Sequence, residues 1–207
     1  MGFMMARYVN FYVLSILMML IGLTLDAKKE DIDDESPVYT YYVAEITRAF
    51  SKQIKKEFGL ECIGNGGSMP YDVEEISIKF GARQRATVEQ ARELEVKITE
   101  RFVQIINAHE KIRPFLRETP FPSYRAKVGI SFYQRNNAPY MDGSVAYVSQ
   151  IKGRIYYSAK DLGNPVLKDL KDEPYEEALK IVQSDASKQD PQRSDPFSEF
   201  AAFEQMQ

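Results

Sequence analysis

The stretch that decides the fold is 61-ECIGNGGSMPYDVEEISIKF-80, where three glycines and a proline precede an alternating apolar run. A phosphate-binding glycine loop follows a strand, opens a helix and carries a lysine with a hydroxyl residue at its end. Here the glycines follow a helical pattern, lead into a strand and adjoin no lysine. We therefore predict a turn over the glycines, with an unidentified ligand or partner loop as the alternative. A strand over 73–80 follows, in which Ile76, Ile78 and Phe80 share one face.

Helical patterns lie on both sides of this stretch. Ser36-Pro37 can begin a helix, and apolar residues then recur every three or four positions, so we predict a helix over about 38–58. Thr87-Val88-Glu89-Gln90 matches a capping box. Apolar residues at helical spacing follow it and predict a second helix over about 88–111.

Three more apolar alternations come later in the chain, in YRAKVGISFYQ (124–134), VAYVSQI (145–151) and RIYYSA (154–159). Turn residues separate them, so they predict an antiparallel meander. With the strand over 73–80, the expected fold is α+β: a mostly antiparallel four-stranded sheet with two main helices on one face. A short C-terminal helix over 172–182 completes it. The predicted core is Ile46, Phe50, Ile54, Ile76, Ile78, Leu94, Ile98, Phe102, Ile105, Val128, Ile130, Phe132 and Val148.

The N-terminal segment has the pattern of an export signal. Arg7 precedes an apolar run over 11–25, and Ala27 offers a small residue before a highly charged stretch. Fifteen helical residues rise about 22 Å, which is shorter than the roughly 30 Å hydrocarbon core. We therefore predict a cleaved signal peptide, with an uncleaved N-terminal membrane anchor as the alternative. The expected organisation is a signal or anchor over 1–27, a flexible lead-in over 28–36, a single domain over 37–183 and a disordered acidic tail over 184–207.

The residues that usually carry chemistry are scarce. The chain holds one histidine, His109, and one cysteine, Cys62, which cannot build a typical zinc site from different predicted elements. A lone cysteine excludes a disulfide within the chain, and we interpret Cys62 as a small buried apolar residue. His109 lies at the edge of a helical apolar stripe, which indicates a structural role. The net charge of −3 does not indicate a polyanionic partner, so we predict no nucleic acid. Without converging ligands or a phosphate-binding loop, we also predict no metal and no cofactor.

An export signal without catalytic motifs favours a non-catalytic binding domain, with a protein or an envelope surface as its partner. Aromatic and arginine side chains dominate binding energy at protein interfaces. The alternatives are an enzyme that uses His109 or a carboxylate, and a membrane-anchored accessory protein. The candidate contact residues, all of which we expect to be exposed, are Arg113, Phe115, Phe121, Tyr124, Tyr140 and Tyr147.

Three runs of the sequence, GLECIGNGGSMPYDVEEISIKF, ARELEVKITERFVQIINAHEKIRPFLRETPF and VGISFY, resemble an uncharacterised family of small exported bacterial proteins. The resemblance covers about residues 55–182. It implies bacterial export and a shared fold, and it brings no catalytic residues to this chain. It is strongest at Gly66-Gly67, Ala91-Arg92, Ile106-Asn107, Arg113-Pro114 and Pro120-Phe121.

We expect the natively expressed protein to begin at Lys28 and to fractionate with the periplasm, the cell envelope or the medium, because cleavage after Ala27 removes the apolar run. N-terminal sequencing of fractionated cells measures both properties. An unprocessed chain in the inner membrane would indicate the anchor instead. An unprocessed chain dissolved in the cytosol would contradict export.

Overall fold

The computed structural model describes residues 36–161 and 166–189. The predicted signal or anchor, most of the lead-in and the tail beyond residue 189 lie outside the described residues. Two 3-10 turns, Arg113–Phe115 and Ser123–Arg125, lie between the second helix and the third strand. The helices and strands are, in chain order, α1 (Val38–Phe58), β1 (Glu61–Ser68), β2 (Glu75–Ala82), α2 (Val88–Ala108), β3 (Ala126–Phe132), β4 (Val145–Ile151), β5 (Arg154–Lys160), β6 (Leu167–Pro174) and α3 (Tyr175–Gln189).

The six strands of the described region form one sheet in which their spatial order is their chain order. Neighbouring strands are antiparallel except β2 and β3, which are parallel. Parallel neighbours need a long crossover, and α2 with its following turns supplies it. The α+β class and the mostly antiparallel sheet are therefore confirmed, while the described sheet has two strands more than the four predicted.

The first additional strand is β1, so the prediction of a turn over the glycines is wrong. Residues 61–68 pair with β2, and Gly67 lies opposite Ile76. A Cβ atom at Gly67 would lie 2.2 Å from the carbonyl oxygen of Glu75, so glycine is what allows this pair of backbones to approach. The turn follows at 69–74, where the Glu74 N–H donates to the Ser68 carbonyl over 3.0 Å. A glycine-rich edge strand has no apolar alternation and therefore gives no strand signal.

The second additional strand is β6, at the opposite edge of the sheet. Its sequence, LKDLKDEP, is exposed except at Glu173 and Pro174, so it also lacks the alternation that predicts a strand. The closing helix begins at Tyr175 rather than at residue 172, because β6 occupies the residues before it. It continues to Gln189, beyond residue 183 where the predicted domain ended.

The helices pack on the face of the sheet that carries Ile78, Ile130 and Val148. Phe50 of α1 stacks on Phe102 of α2 with ring centroids 4.7 Å apart. Of the thirteen predicted core residues, eleven are buried, and Leu94 and Ile105 are half-buried at the edge of the same cluster. The apolar periodicity therefore located the core.

A buried ion pair joins α2 to the edge strand β6. The Arg92 Nε atom lies 2.6 Å from Glu173 Oε1, and Nη2 lies 3.1 Å from Oε2. Lys171 Nζ lies 2.8 Å from Glu173 Oε2, and the Tyr157 hydroxyl of β5 donates to Oε1 over 2.5 Å. Burial alone would raise the pKa of Glu173, but hydrogen bonds from Arg92, Lys171 and Tyr157 outweigh it and lower that pKa to about 2. The carboxylate is thus ionised throughout the ordinary pH range.

We expect Glu173→Gln to lower the free energy of unfolding by about 3 kcal/mol near neutral pH, because it leaves Arg92 buried without its counter-charge. The matched control is Asp172→Asn, which removes an exposed carboxylate paired with Arg154 and should cost less than about 1 kcal/mol. Urea denaturation measures both.

The same variant should show a defined pH dependence. The native pKa of Glu173, about 2, lies below its ordinary 4.5, so its ionised form contributes stability above pH 4.5 that is lost as pH falls through 2. The difference in unfolding free energy between wild type and Glu173→Gln should therefore decrease as the pH is lowered toward 2. Equal losses of unfolding free energy in Glu173→Gln and Asp172→Asn would contradict the stabilising role of the buried ion pair.

Candidate binding surface

The structure divides the predicted contact residues between the two ends of β3. Arg113, Phe115 and Tyr124 lie at the end where β3 begins, next to the loop that joins β1 to β2. Tyr140 and Tyr147 lie at the other end, where Tyr147 pairs with Ser131. These residues therefore form two separate surfaces rather than one.

Phe121 belongs to neither surface, and the prediction that it is exposed is wrong. Its side chain is 1% exposed and lies in the hydrophobic core. Asn107 of α2 fixes it: the Phe121 N–H donates to Asn107 Oδ1 over 2.6 Å, and Asn107 Nδ2 donates to the Phe121 carbonyl over 3.0 Å. Phe121 thus anchors the connection between α2 and β3.

Arg113 and Phe115 make contacts within the fold that account for their positions. The Arg113 guanidinium donates to the Asn107 carbonyl over 3.1 Å, near the C-terminus of α2. Phe115 is half-buried, and its ring centroid lies 5.7 Å from that of Tyr39 and 6.2 Å from that of Tyr42. The exposed Arg113 remains available at the rim of this end of the molecule.

His109 ends α2. Its Nδ1 atom accepts a hydrogen bond from the Ile112 N–H over 3.2 Å, and its ring lies 5.8 Å from the ring of Tyr42. Its Nε2 atom lies 3.8 Å from Glu45. These are contacts of a helix-terminating residue, so the geometry lends no support to an enzyme that uses His109 as its base.

The most exposed large apolar side chain of the described region is Tyr71, which is 91% exposed in the β1–β2 loop. The residues on both sides of it are held in place: before it, the Tyr39 hydroxyl donates to the Met69 carbonyl over 3.3 Å, and two contacts follow it. The Val73 N–H donates to the Phe115 carbonyl over 2.8 Å, and the Arg117 guanidinium binds Asp72 with an Nη2–Oδ1 distance of 2.9 Å. Tyr71 was not predicted as a contact residue because the turn was placed over the glycines, although Pro70-Tyr71-Asp72 is itself a turn signal.

Tyr124, 42% exposed, lies beside the same network of charges. Its hydroxyl donates to Glu118 over 2.7 Å, which lowers the pKa of Glu118 and raises the pKa of Tyr124. The Arg125 guanidinium lies 5.3 Å from the centre of the Tyr124 ring and donates to the Glu74 carbonyl over 3.1 Å. We call this surface the tyrosine tip; it consists of Tyr71 and Tyr124 with the charged residues between them, Asp72, Glu74, Arg117, Glu118 and Arg125.

The other end of β3 carries a second aromatic group. The Arg85 guanidinium lies 5.1 Å from the centre of the Tyr140 ring and is paired with Asp142 at 2.7 Å. Tyr147 is half-buried and lines a cleft on the sheet face opposite the helices. Sequence reasoning identified these two aromatics without showing that they belong to a different surface from Tyr124.

A carboxyl group is enclosed between α2 and β4. Glu95 is 0% exposed, and its Oε1 atom accepts a hydrogen bond from the Gln150 N–H over 2.9 Å. Within the described region, no hydrogen-bond partner is present for Glu95 Oε2, Thr99 Oγ1 or Gln150 Oε1. Burial raises the pKa of Glu95 well above its ordinary value, so the group is neutral in the folded chain. Because it is shielded from solvent, we do not assign it to a binding surface.

Two further properties concern the described residues alone. They contain no group of three or more histidine, cysteine, aspartate or glutamate side chains placed to hold a metal ion. None of their helices combines the length and the hydrophobicity needed to cross a membrane.

We expect Glu95→Gln to raise the free energy of unfolding near neutral pH relative to wild type. Above pH 4.5 the unfolded chain ionises Glu95 while the native chain keeps it neutral, so wild-type stability falls as pH rises. The stability difference between Glu95→Gln and wild type should vanish below pH 4.5. Glu93→Gln, on the exposed side of the same helix, is the matched control and should change stability by less than about 0.5 kcal/mol. A destabilised Glu95→Gln chain at neutral pH would show that Glu95 is ionised.

Comparison of the chain with protein-family models, with curated proteins and with solved structures found no match.

Proposed function

We propose that this chain is an exported bacterial protein of the cell envelope or the secreted fraction, and that it binds another protein through the tyrosine tip without catalysing a reaction. The observation that carries the proposal is the 91% exposure of Tyr71 on a turn whose flanks are fixed. The export signal of the sequence motivates the location. If the N-terminal segment stays uncleaved, the same domain is held at the membrane.

The tip has the physical properties of an interface anchor. Burying a side chain in a complex costs conformational entropy, and a ring on a pre-ordered turn loses less of it. Hydrogen bonds from Val73 and Arg117 already order the backbone beside Tyr71. A partner that covers the ring would therefore gain apolar contact with little ordering cost.

The charges around the two rings fit a polar rim. Arg117 pairs with Asp72 and Glu74, and Arg125 pairs with Glu118. Interfaces commonly surround an aromatic centre with polar groups that set orientation and association rate. Because each of these arginines is already paired with carboxylates, the arrangement supports recognition better than proton transfer.

We expect a photoreactive benzoylphenylalanine at position 71 of the full chain, expressed in its native host, to give a discrete protein adduct after irradiation. Position 124 should give the same adduct, because Tyr124 lies beside the same network. Position 156 is the matched control, since Tyr156 is an exposed tyrosine on β5 that does not belong to the tip. Equal adducts from position 156, or none from position 71, would contradict the proposal.

The affinity of the cross-linked partner provides the second measurement. Tyr71→Ala should lower it by at least about tenfold, as expected for an interface anchor, while Tyr156→Ala should leave it unchanged. Because Tyr71 is almost fully exposed, the free energy of unfolding should change by less than about 0.5 kcal/mol. A partner that binds Tyr71→Ala as tightly as wild type would remove Tyr71 from the interface.

A further inference from the structure

A cleft of about 370 Å³ opens on the sheet face opposite the helices, at the end of β3. Its volume falls within the range of small-molecule sites, roughly 300–1,000 Å³. The cleft is separate from the tyrosine tip, since β3 lies between them. Its described lining consists of Ser131, Phe132, Tyr133, Asn137, Pro139, Ala146, Tyr147 and Leu167.

Two glycines leave the space in which the tyrosine rings of this cleft lie against the sheet. A Cβ atom at Gly81 would lie 2.0 Å from the Tyr133 hydroxyl, and one at Gly129 would lie 2.5 Å from the Tyr147 hydroxyl. Each ring therefore reaches across its neighbouring strand and rests on a position that only glycine leaves empty. A ring that lies along a sheet can present its broad face to a ligand.

The described lining carries no aspartate, glutamate, lysine or arginine. Its polar groups are neutral: the Ser131 hydroxyl, the Asn137 carboxamide and the tyrosine hydroxyls. The nearby charges of Arg85 and Asp142 are paired with each other at 2.7 Å. Such a lining favours a neutral ligand, because a charged one would lose hydration without gaining a counter-charge.

We propose that this cleft binds an uncharged hexose ring of a glycan. A pyranose ring has a C–H face that packs on the negative face of an aromatic ring, and its rim carries hydroxyls that hydrogen-bond to neutral groups. Tyr133 and Tyr147 supply the aromatic faces, and Ser131 and Asn137 supply neutral hydrogen-bonding groups. The open shape lets a glycan chain continue beyond the bound ring, whereas an apolar peptide side chain would need a deeper pocket to be buried.

Saturation-transfer NMR of the full chain with the methyl glycosides of glucose, galactose and N-acetylglucosamine tests the proposal. We expect at least one to bind with millimolar affinity, with transfer concentrated on the C–H protons of one ring face. Methyl glucuronide has the same ring with a carboxylate in place of the hydroxymethyl group and should bind at least about tenfold more weakly than methyl glucoside. Absence of transfer to all three neutral sugars, or equal binding of the glucuronide, would overturn the proposal.

Two variants and a control locate the site. Tyr147→Ala should weaken binding of the best sugar by about tenfold, because it removes one aromatic face. Gly129→Ala should weaken it by displacing only the outer end of the Tyr147 ring, while circular dichroism shows an unchanged fold. Tyr156→Ala should bind as wild type does. Unchanged binding in Tyr147→Ala, or binding of a blocked Pro-Phe dipeptide in preference to the sugars, would overturn the assignment.

Discussion

The outer half of the sheet depends on the buried ion pair between Arg92 and Glu173. β6 buries little apolar surface, so hydrophobic packing alone gives it little reason to join the sheet. Its penultimate residue, Glu173, is instead held by the guanidinium of α2 and by the Tyr157 hydroxyl of β5. α3 starts two residues later, where the Tyr175 hydroxyl donates to Glu100 of α2 over 2.7 Å. Two polar contacts with α2 thus fix the last strand and the last helix.

The sheet-facing side of α2 is unusual because it places polar side chains within the core. Arg92, Glu95 and Thr99 lie on it at helical spacing beside apolar residues, and all are buried. A buried ion pair often stabilises less than an apolar replacement would, so stability alone does not explain Arg92. Such a pair does distinguish one register from another, since a shift of β6 would leave a buried charge without its partner. We therefore interpret Arg92 and Glu173 as residues that specify how the polar strand docks.

The sequence determines this fold unevenly, and the reasons are physical. The capping box at Thr87 and the left-handed Gly59 are local signals, so both long helices could be predicted closely. β2 to β5 alternate between core and surface and could be predicted as well. β1 and β6 could not, because a glycine-rich run and an exposed, charge-rich run owe their strand conformation to neighbours distant in the chain. Tyr71 was missed with the turn that carries it, and Phe121 is buried through its contact with Asn107.

Two glycines of the sheet determine the shape of the surface opposite the helices. Glycine within a strand is unfavourable by roughly 0.5–1 kcal/mol relative to alanine, so each one needs a structural reason. Gly67 has one in the close approach of the Glu75 backbone. At Gly81 and Gly129 the atoms that would meet a side chain belong to Tyr133 and Tyr147, which line the cleft outside the core. A β-strand backbone would accept serine or threonine at both positions, and it is the tyrosine rings that leave no room for a side chain there. Glycine at these two positions lowers the stability of the strands but lets the tyrosine rings lie against the sheet. Such an exchange is expected where a face of the sheet contacts a ligand.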